Sequence, residues 1–219
     1  MTAIGFLHTA DTHTATFRDL LREVAPGARD VHLVDAGLLS DARRDGVAVD
    51  IEARLLARLR QLATAEPDVI VCTCSTLSGS AERLAQEIET PVVRIDRPMA
   101  ETAVAGGGLV ALVVAVDSTL APTRQLFEEC AAQAGSNPTL LDAPCLDAWE
   151  RFEVGDYPGY LDRVARHIRS LAGDVDVIAL AQASMAPAVG LVGDLSIPVL
   201  CSPRLAVLRA VELAAARGA

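Results

Sequence analysis

Lysine is absent from this chain: all 19 basic residues among its 219 are arginine. Schiff-base chemistry with pyridoxal phosphate needs a lysine amine, so it is excluded. A Walker-A phosphate loop is excluded too, because it sets a lysine beside its glycines. Any reaction at an amino-acid α-carbon must therefore proceed without the pyridoxal electron sink. Positive charge is also outweighed, with a formal net charge of −10. That balance argues against nucleic-acid binding, which relies on cationic groups to displace counterions. Aromatic residues make up only 3% of the chain, so its core must be built from Ala, Val, Leu and Ile. The longest apolar candidate, Leu109 to Val116, falls far short of the ~20 residues of a membrane helix. The first residues show no basic segment leading into an apolar run and a cleavage site, so a soluble cytoplasmic protein with no membrane partner is expected. Zinc-ligand spacing is missing as well. The five cysteines form an odd set in which Cys72 and Cys74 stand only two apart, so neither a disulfide framework nor a metal site is expected. His8 and His13 are read as loop polar groups near a strand end rather than as metal ligands.

What is present is an alternation of short β-rich apolar runs and amphipathic segments, the mark of parallel α/β architecture. Strands are expected at Ala3 to His8, Val31 to Asp35, Val69 to Thr73, Val92 to Ile95, Leu109 to Val116, Thr139 to Leu141, Val177 to Ala181 and Val199 to Cys201. Helical patterns include "TATFRDLLREV", "DIEARLLARLRQLATA", "SAERLAQEI", "PTRQLFEECAAQAG" and "YPGYLDRVARHIRSLAG". Gly106 to Gly108 precedes a strand and reads as a loop rather than a phosphate cradle.

The two halves resemble each other. "LVDAGLL" from Leu33 recurs as "LLDAPCL" from Leu140, "DVIVCTCST" from Asp68 as "DVIALAQAS" from Asp176, and "PVVRIDRP" from Pro91 as "PVLCSPR" from Pro198. The offsets are 107, 108 and 107 residues, in constant order, which indicates an internal duplication. The expected fold is α/β, with two pseudo-symmetric α/β/α lobes, each holding a four-stranded parallel sheet. The first lobe would span residues 1–97 and the second 98–204, with a terminal helix at 205–219 returning to the first. A site is expected in the cleft between them, at the C-terminal strand ends where such sheets bind ligands.

On this repeat Cys74 corresponds to Gln182. An amino acid's α-hydrogen is very weakly acidic, so its removal needs a base held close, donors for the carboxylate and exclusion of water. A thiolate can serve as that base, and its pKa falls near a helix N-terminus. Cys74 ends an expected strand, and the following helix is expected to start near Ser78 or Ser80, either of which would cap it. Ser75 and Thr76 offer hydroxyls and backbone N–H groups to a substrate carboxylate.

These residues carry a family resemblance over nearly the whole chain. "FLHT" with the helix after it, "VDAGLL", "CST" at Cys74 to Thr76, "VAVDSTLAPT" at Val114 to Thr123 and "LAQASM" at Leu180 to Met185 are similar to the aspartate/glutamate/hydantoin racemase superfamily. The resemblance implies racemisation without a cofactor, in which two cysteines, one from each lobe, remove and return a proton on opposite faces. It also implies a homodimer or higher homo-oligomer acting on a small carboxylate substrate. By position, Cys74 would be one base. Ser75, Thr76, Thr119, Ala183 and Ser184 would line the carboxylate site, with Thr9 at its mouth.

The second cysteine position departs from that pattern: it holds Gln182, whose amide cannot accept and return a proton at ordinary pH. Gln182 reads as a substrate-binding group. One-sided decarboxylation, isomerisation or proton exchange therefore stands beside racemisation, as does a binding protein that has lost its chemistry.

Other conspicuous residues have plainer readings. Cys72 alternates away from Thr73 and reads as a small core hydrophobe, as do Cys130, Cys145 and Cys201. Thr123 reads as a helix cap. Asp35 and Asp142, matched across the repeat, suit a structural turn role as much as a catalytic one. Arg94, Asp96 and Arg97 read as surface ion pairs. "EVGDYPGY" at Glu153 to Tyr160 reads as a lid or subunit contact.

Overall fold

The computed structural model describes residues 2–218. Its eight strands are β1 (Ala3–His8), β2 (Arg29–Val34), β3 (Val69–Cys72), β4 (Val92–Arg94), β5 (Leu109–Val113), β6 (Thr139–Asp142), β7 (Val177–Leu180) and β8 (Val199–Cys201). They form two four-stranded sheets, ordered β2-β1-β3-β4 and β6-β5-β7-β8, with every pairing parallel. The second order is the first repeated, strand for strand. The centre strands β1, β3, β5 and β7 are almost wholly buried. This follows from their near-continuous apolar sequences, since a parallel strand between two helical layers has no solvent face. The edges β2 and β6 are more exposed.

The helices are α1 (Thr12–Val24), α2 (Ala36–Asp45), α3 (Val49–Ala63), α4 (Ser75–Leu84), α5 (Arg97–Ala105), α6 (Leu120–Ala134), α7 (Trp149–Glu153), α8 (Tyr157–Leu171) and α9 (Ser202–Gly218). A 3-10 stretch, Ala183–Leu191 with Pro187 inside it, follows β7 where an α-helix follows β3. The chain divides into two compact units: Met1–Asp96 with Pro203–Ala219, and Arg97–Ser202. In the first, Leu38, Ile51, Leu55 and Leu59 of α2 and α3 pack against Leu7, Ile70 and Cys72 of the sheet. In the second, Tyr160, Val164 and Ile168 of α8 pack against Ala111, Val113 and Ile178. Arg204 of α9 pairs with Glu23 of α1 at 2.7 Å. Among the described residues no helix is long and apolar enough to cross a membrane.

Several local expectations are corrected. The helix after β3 starts at Ser75, not at Ser78 or Ser80. Ser78 instead turns its hydroxyl back onto the carbonyls of Cys74 (2.9 Å) and Cys72 (3.1 Å), while Ser80 donates to Glu52. Thr123 lies inside α6, fully buried, rather than capping it. Arg94 and Asp96 are buried, not superficial, with Arg94 Nε donating to Asp96 Oδ1 at 2.8 Å. Asp35 is held by Arg54 and Arg58 of α3, and Asp142 by Arg124 of α6. "EVGDYPGY" joins α7 to α8. Asp156 caps α8 by accepting from Gly159 N at 3.0 Å, and Tyr160 is buried in the core.

Candidate active site

Cys74 sits two residues beyond the end of β3, in extended conformation at the N-cap of α4. Its chain neighbours are pinned: Thr73 N donates to Leu7 O at 3.0 Å, and Leu77 N to Cys74 O at 3.1 Å. The sulfur is therefore held at the positive end of a helix, where an anion is favoured. Burial nonetheless dominates and pushes the Cys74 thiol up from its ordinary value of 9.0; the Thr9 hydroxyl, hydrogen-bonded to it, and the N–H groups of Leu77 and Thr76 oppose that rise, and Asp96 adds to it. Neither amide closes a full cap hydrogen bond onto the sulfur. The expected depression of this pKa is thus not what the resting site shows: Cys74 is a buried thiol facing groups that stabilise its ionised form. Thr9, Ser75 and Thr76, all buried, gather with it in the first unit.

Cys72 differs. It faces Leu7, Leu55 and Leu59 in the core, and burial pushes its thiol up to about 12. Cys130 and Cys145 are also buried, and Cys201 is half-buried in β8. Cys145 is pushed up to about 11 by burial.

In the second unit Gln182 occupies the position one residue beyond Ala181 that matches Cys74. Its Oε1 accepts from the backbone N–H of Ala115, at short range, and from that of Val116 at 3.2 Å. Both amides lie just beyond β5. Since only the carbonyl oxygen can accept two N–H bonds, the amide's orientation is fixed, and its NH2 carries the remaining hydrogen-bonding capacity as a donor. Thr119 is buried at the N-cap of α6, and Ala183 opens the 3-10 stretch. Ser184 exchanges a hydrogen bond with Tyr160 Oη at 2.8 Å.

The expectation that His8 is a loop group fails: it is the last residue of β1, without exposed surface. Both ring nitrogens are engaged, Nδ1 with Thr73 Oγ1 and Nε2 with His32 Nδ1, each at 2.9 Å. His13 lies in the first turn of α1. Sequence reading missed this cluster, and it also missed the Ala115 and Val116 amides. Both depend on strand register, which brings together residues 65 to 67 apart in the chain.

A family model described as Asp/Glu/Hydantoin racemase matches residues 7–210. Among solved structures, an aspartate racemase from Picrophilus torridus is similar over 98% of this chain and 95% of its own, at 14% identity and TM-score 0.76. A glutamate racemase from Bacillus anthracis is similar over 99% of this chain and 83% of its own, at 14% identity and TM-score 0.77. An allantoin racemase from Pseudomonas fluorescens is similar over 99% and 92%, at 19% identity and TM-score 0.60. A search of curated protein sequences finds no match.

Proposed function

The chain belongs to the Asp/Glu/hydantoin racemase family, and within it we propose a cofactor-independent enzyme that moves a proton at the carbon next to a small substrate's carboxylate, with Cys74 as the sole thiol. The observation that carries this reading is the setting of Cys74 at the N-terminus of α4. A hydroxyl and two main-chain N–H groups face the sulfur there and favour its ionised form against burial. The substrate class is an amino acid or small diacid whose carboxylate is taken by the hydroxyls and amides of Ser75 and Thr76.

The chemistry follows from the strand end that carries Cys74. The Cys74 thiolate takes the proton from carbon, and the resulting negative charge spreads into the substrate carboxylate, where neutral donors stabilise it. Gln182 accepts no proton. With no base at that position of the repeat, proton removal and return both fall to Cys74, on one face of the carbon. The same arrangement serves decarboxylation, where Cys74 delivers the proton after CO2 leaves.

A second reading, a small-carboxylate-binding protein without turnover, is favoured by the raised Cys74 pKa in the resting site. A panel of amino acids, hydantoins and small diacids separates the two. The enzyme reading expects turnover of at least one compound, lost in Cys74→Ala. Turnover undiminished in Cys74→Ala contradicts it. Tight ligand stabilisation without turnover, insensitive to alkylation of Cys74, establishes the binder.

A further inference from the structure

On the face of the first sheet covered by α1, four polar side chains run in an unbroken line. Thr73 Oγ1 meets His8 Nδ1 at 2.9 Å, His8 Nε2 meets His32 Nδ1 at 2.9 Å, and His32 Nε2 meets Asp30 Oδ2 at 2.8 Å. Arg18 of α1 closes the outer end on Asp30 at 2.7 Å. The line is built by register. Phe6 of β1 pairs with His32 of β2, and Leu7 pairs with Cys72 of β3, so His8, His32 and Thr73 meet at neighbouring strand ends. The rings of Phe6, His8 and His32 stack, with centroids 5.1 Å apart for Phe6–His32 and for His8–His32, and Phe17 of α1 packs against Phe6 and His8. The charged and titratable groups facing the two central rings are Asp30 on β2 and Arg18 and His13 on α1.

Counting hydrogens leaves this line one satisfied state with both imidazoles neutral and two with one proton added, on His32 or on His8. With both imidazoles neutral, every donor points outward: Thr73 O–H to His8 Nδ1, His8 Nε2–H to His32 Nδ1, and His32 Nε2–H to the Asp30 carboxylate. In this state the Thr73 hydroxyl cannot also donate to Leu7 O, which lies 3.0 Å away. With the added proton on His32, that ring is an imidazolium that donates from both nitrogens, to Asp30 and to His8 Nε2. His8 must then carry its hydrogen on Nδ1 and donate to Thr73, whose own hydroxyl turns to Leu7 O. One proton is taken from water, two hydrogen bonds reverse, and no bond is left without a donor. A neutral His32 that donated to His8 would turn a bare nitrogen on the Asp30 carboxylate, so the neutral line has one satisfied arrangement. A proton on His8 instead would leave its hydrogen on Nε2 in place, and the Asp30 carboxylate against His32 at 2.8 Å favours His32 over it.

We propose that this Thr73–His8–His32–Asp30 array is a positioning element with two states, and that protonation of His32 reverses the hydrogen bond held by Thr73, the residue that precedes Cys74. His8 and Thr73 lie one residue before Thr9 and Cys74 respectively, so the array fixes the base of that hydroxyl–thiol pair. Burial holds His32 below its ordinary value and keeps His8 neutral, at about 3, which places the added proton on His32 with Asp30 as its counter-ion. The bearing on catalysis rests on Cys74 as the reacting group; the two states of the array do not.

The test is imidazole 15N NMR on the full chain, titrated from pH 8 towards the acid limit of folding, with resonances assigned through His8→Gln and His32→Gln. The expected result is a single transition below pH 6.5 in which His32 becomes doubly protonated while the His8 hydrogen moves from Nε2 to Nδ1. The Thr73 and Cys74 backbone amides shift with the same midpoint, and Asp30→Asn moves that midpoint to lower pH. A His8 tautomer unchanged while His32 titrates, a His32 that stays neutral until the chain unfolds, or a midpoint indifferent to Asp30→Asn overturns the proposal. These readouts need no turnover, so loss of the Cys74 mechanism and loss of the array are distinguished.

Discussion

The two units share a strand order and differ where β3 and β7 end. Beyond β3, the chain places a thiol at the start of a ten-residue α-helix, facing Thr9 and the amides of Thr76 and Leu77. Beyond β7, it places an amide whose carbonyl is spent on the N–H groups of Ala115 and Val116, ahead of a 3-10 stretch broken by Pro187. One end keeps a group that can exchange a proton, and the other replaces it with a clamp on its own backbone. The two halves repeat the frame, while a thiol stands at that strand end in only one of them.

The largest effect that would break this contrast is chemical. Cys74→Ala is expected to lower turnover by about 10³-fold, the scale of a lost general base, whereas Cys72→Ala is expected to leave turnover within a few-fold and cost stability alone. Steady-state kinetics of the two variants decide between them. Next comes the buried ion pair at the end of β4, which β8 lacks: Cys201 and Pro203 stand at the matching positions. Asp96→Ala leaves Arg94, 5% exposed, facing Glu82 at 3.6 Å as a distant substitute, and is expected to destabilise the protein by about 3–5 kcal/mol in denaturant unfolding.

Gln182→Ala orphans two main-chain amides and is expected to cost about 1–3 kcal/mol, with turnover less affected than in Cys74→Ala. Equal losses of turnover in the two variants would undo the distinction between base and clamp. Acid is expected to act on the first unit through His8, His13 and His32, all held by burial below 6.5. The unfolded chain then binds more protons than the native one below that pH, so stability falls as pH falls, by about 1.4 kcal/mol per pH unit for each proton. Unfolding midpoints measured from pH 7 to pH 4 check both sign and slope. The smallest effect is expected from Tyr160→Phe, which removes the 2.8 Å bond to Ser184 and should cost about 1 kcal/mol.

Much of the frame is legible in the residues. β1 and β8 have the expected bounds, and the repeat from Asp68 to Asp176 marks two strands that occupy equivalent positions in their sheets. Such strands are buried on both faces, so their apolar runs are unmistakable. The start of α4 was hidden because "STLSG", Leu77 apart, is made of poor helix formers. It is helical because Leu77 and Ala81 are buried and Ser78 bonds back to Cys74 O. α2 and α5 escaped notice for similar reasons. The first is short, with only Leu38 and Ala42 buried, and the second enters through Pro98. The place of Cys74 just past a central strand was legible from the repeat. The role of Gln182 was not, because its partners lie 66 and 67 residues away on a neighbouring strand, and no local pattern encodes that meeting. The raised pKa of Cys74 was equally hidden, since burial rather than the helix terminus decides its sign.

Incubation with a converted substrate in D2O, followed by chiral separation and mass analysis, tests the central claim most directly. With Cys74 as the only proton-transfer group, deuterium enters one enantiomer and the other is neither formed nor labelled; in a decarboxylation, a single labelled enantiomer is released. Deuterium in both enantiomers of the wild-type product would contradict the account, because a second base would then be at work and Gln182 cannot be it.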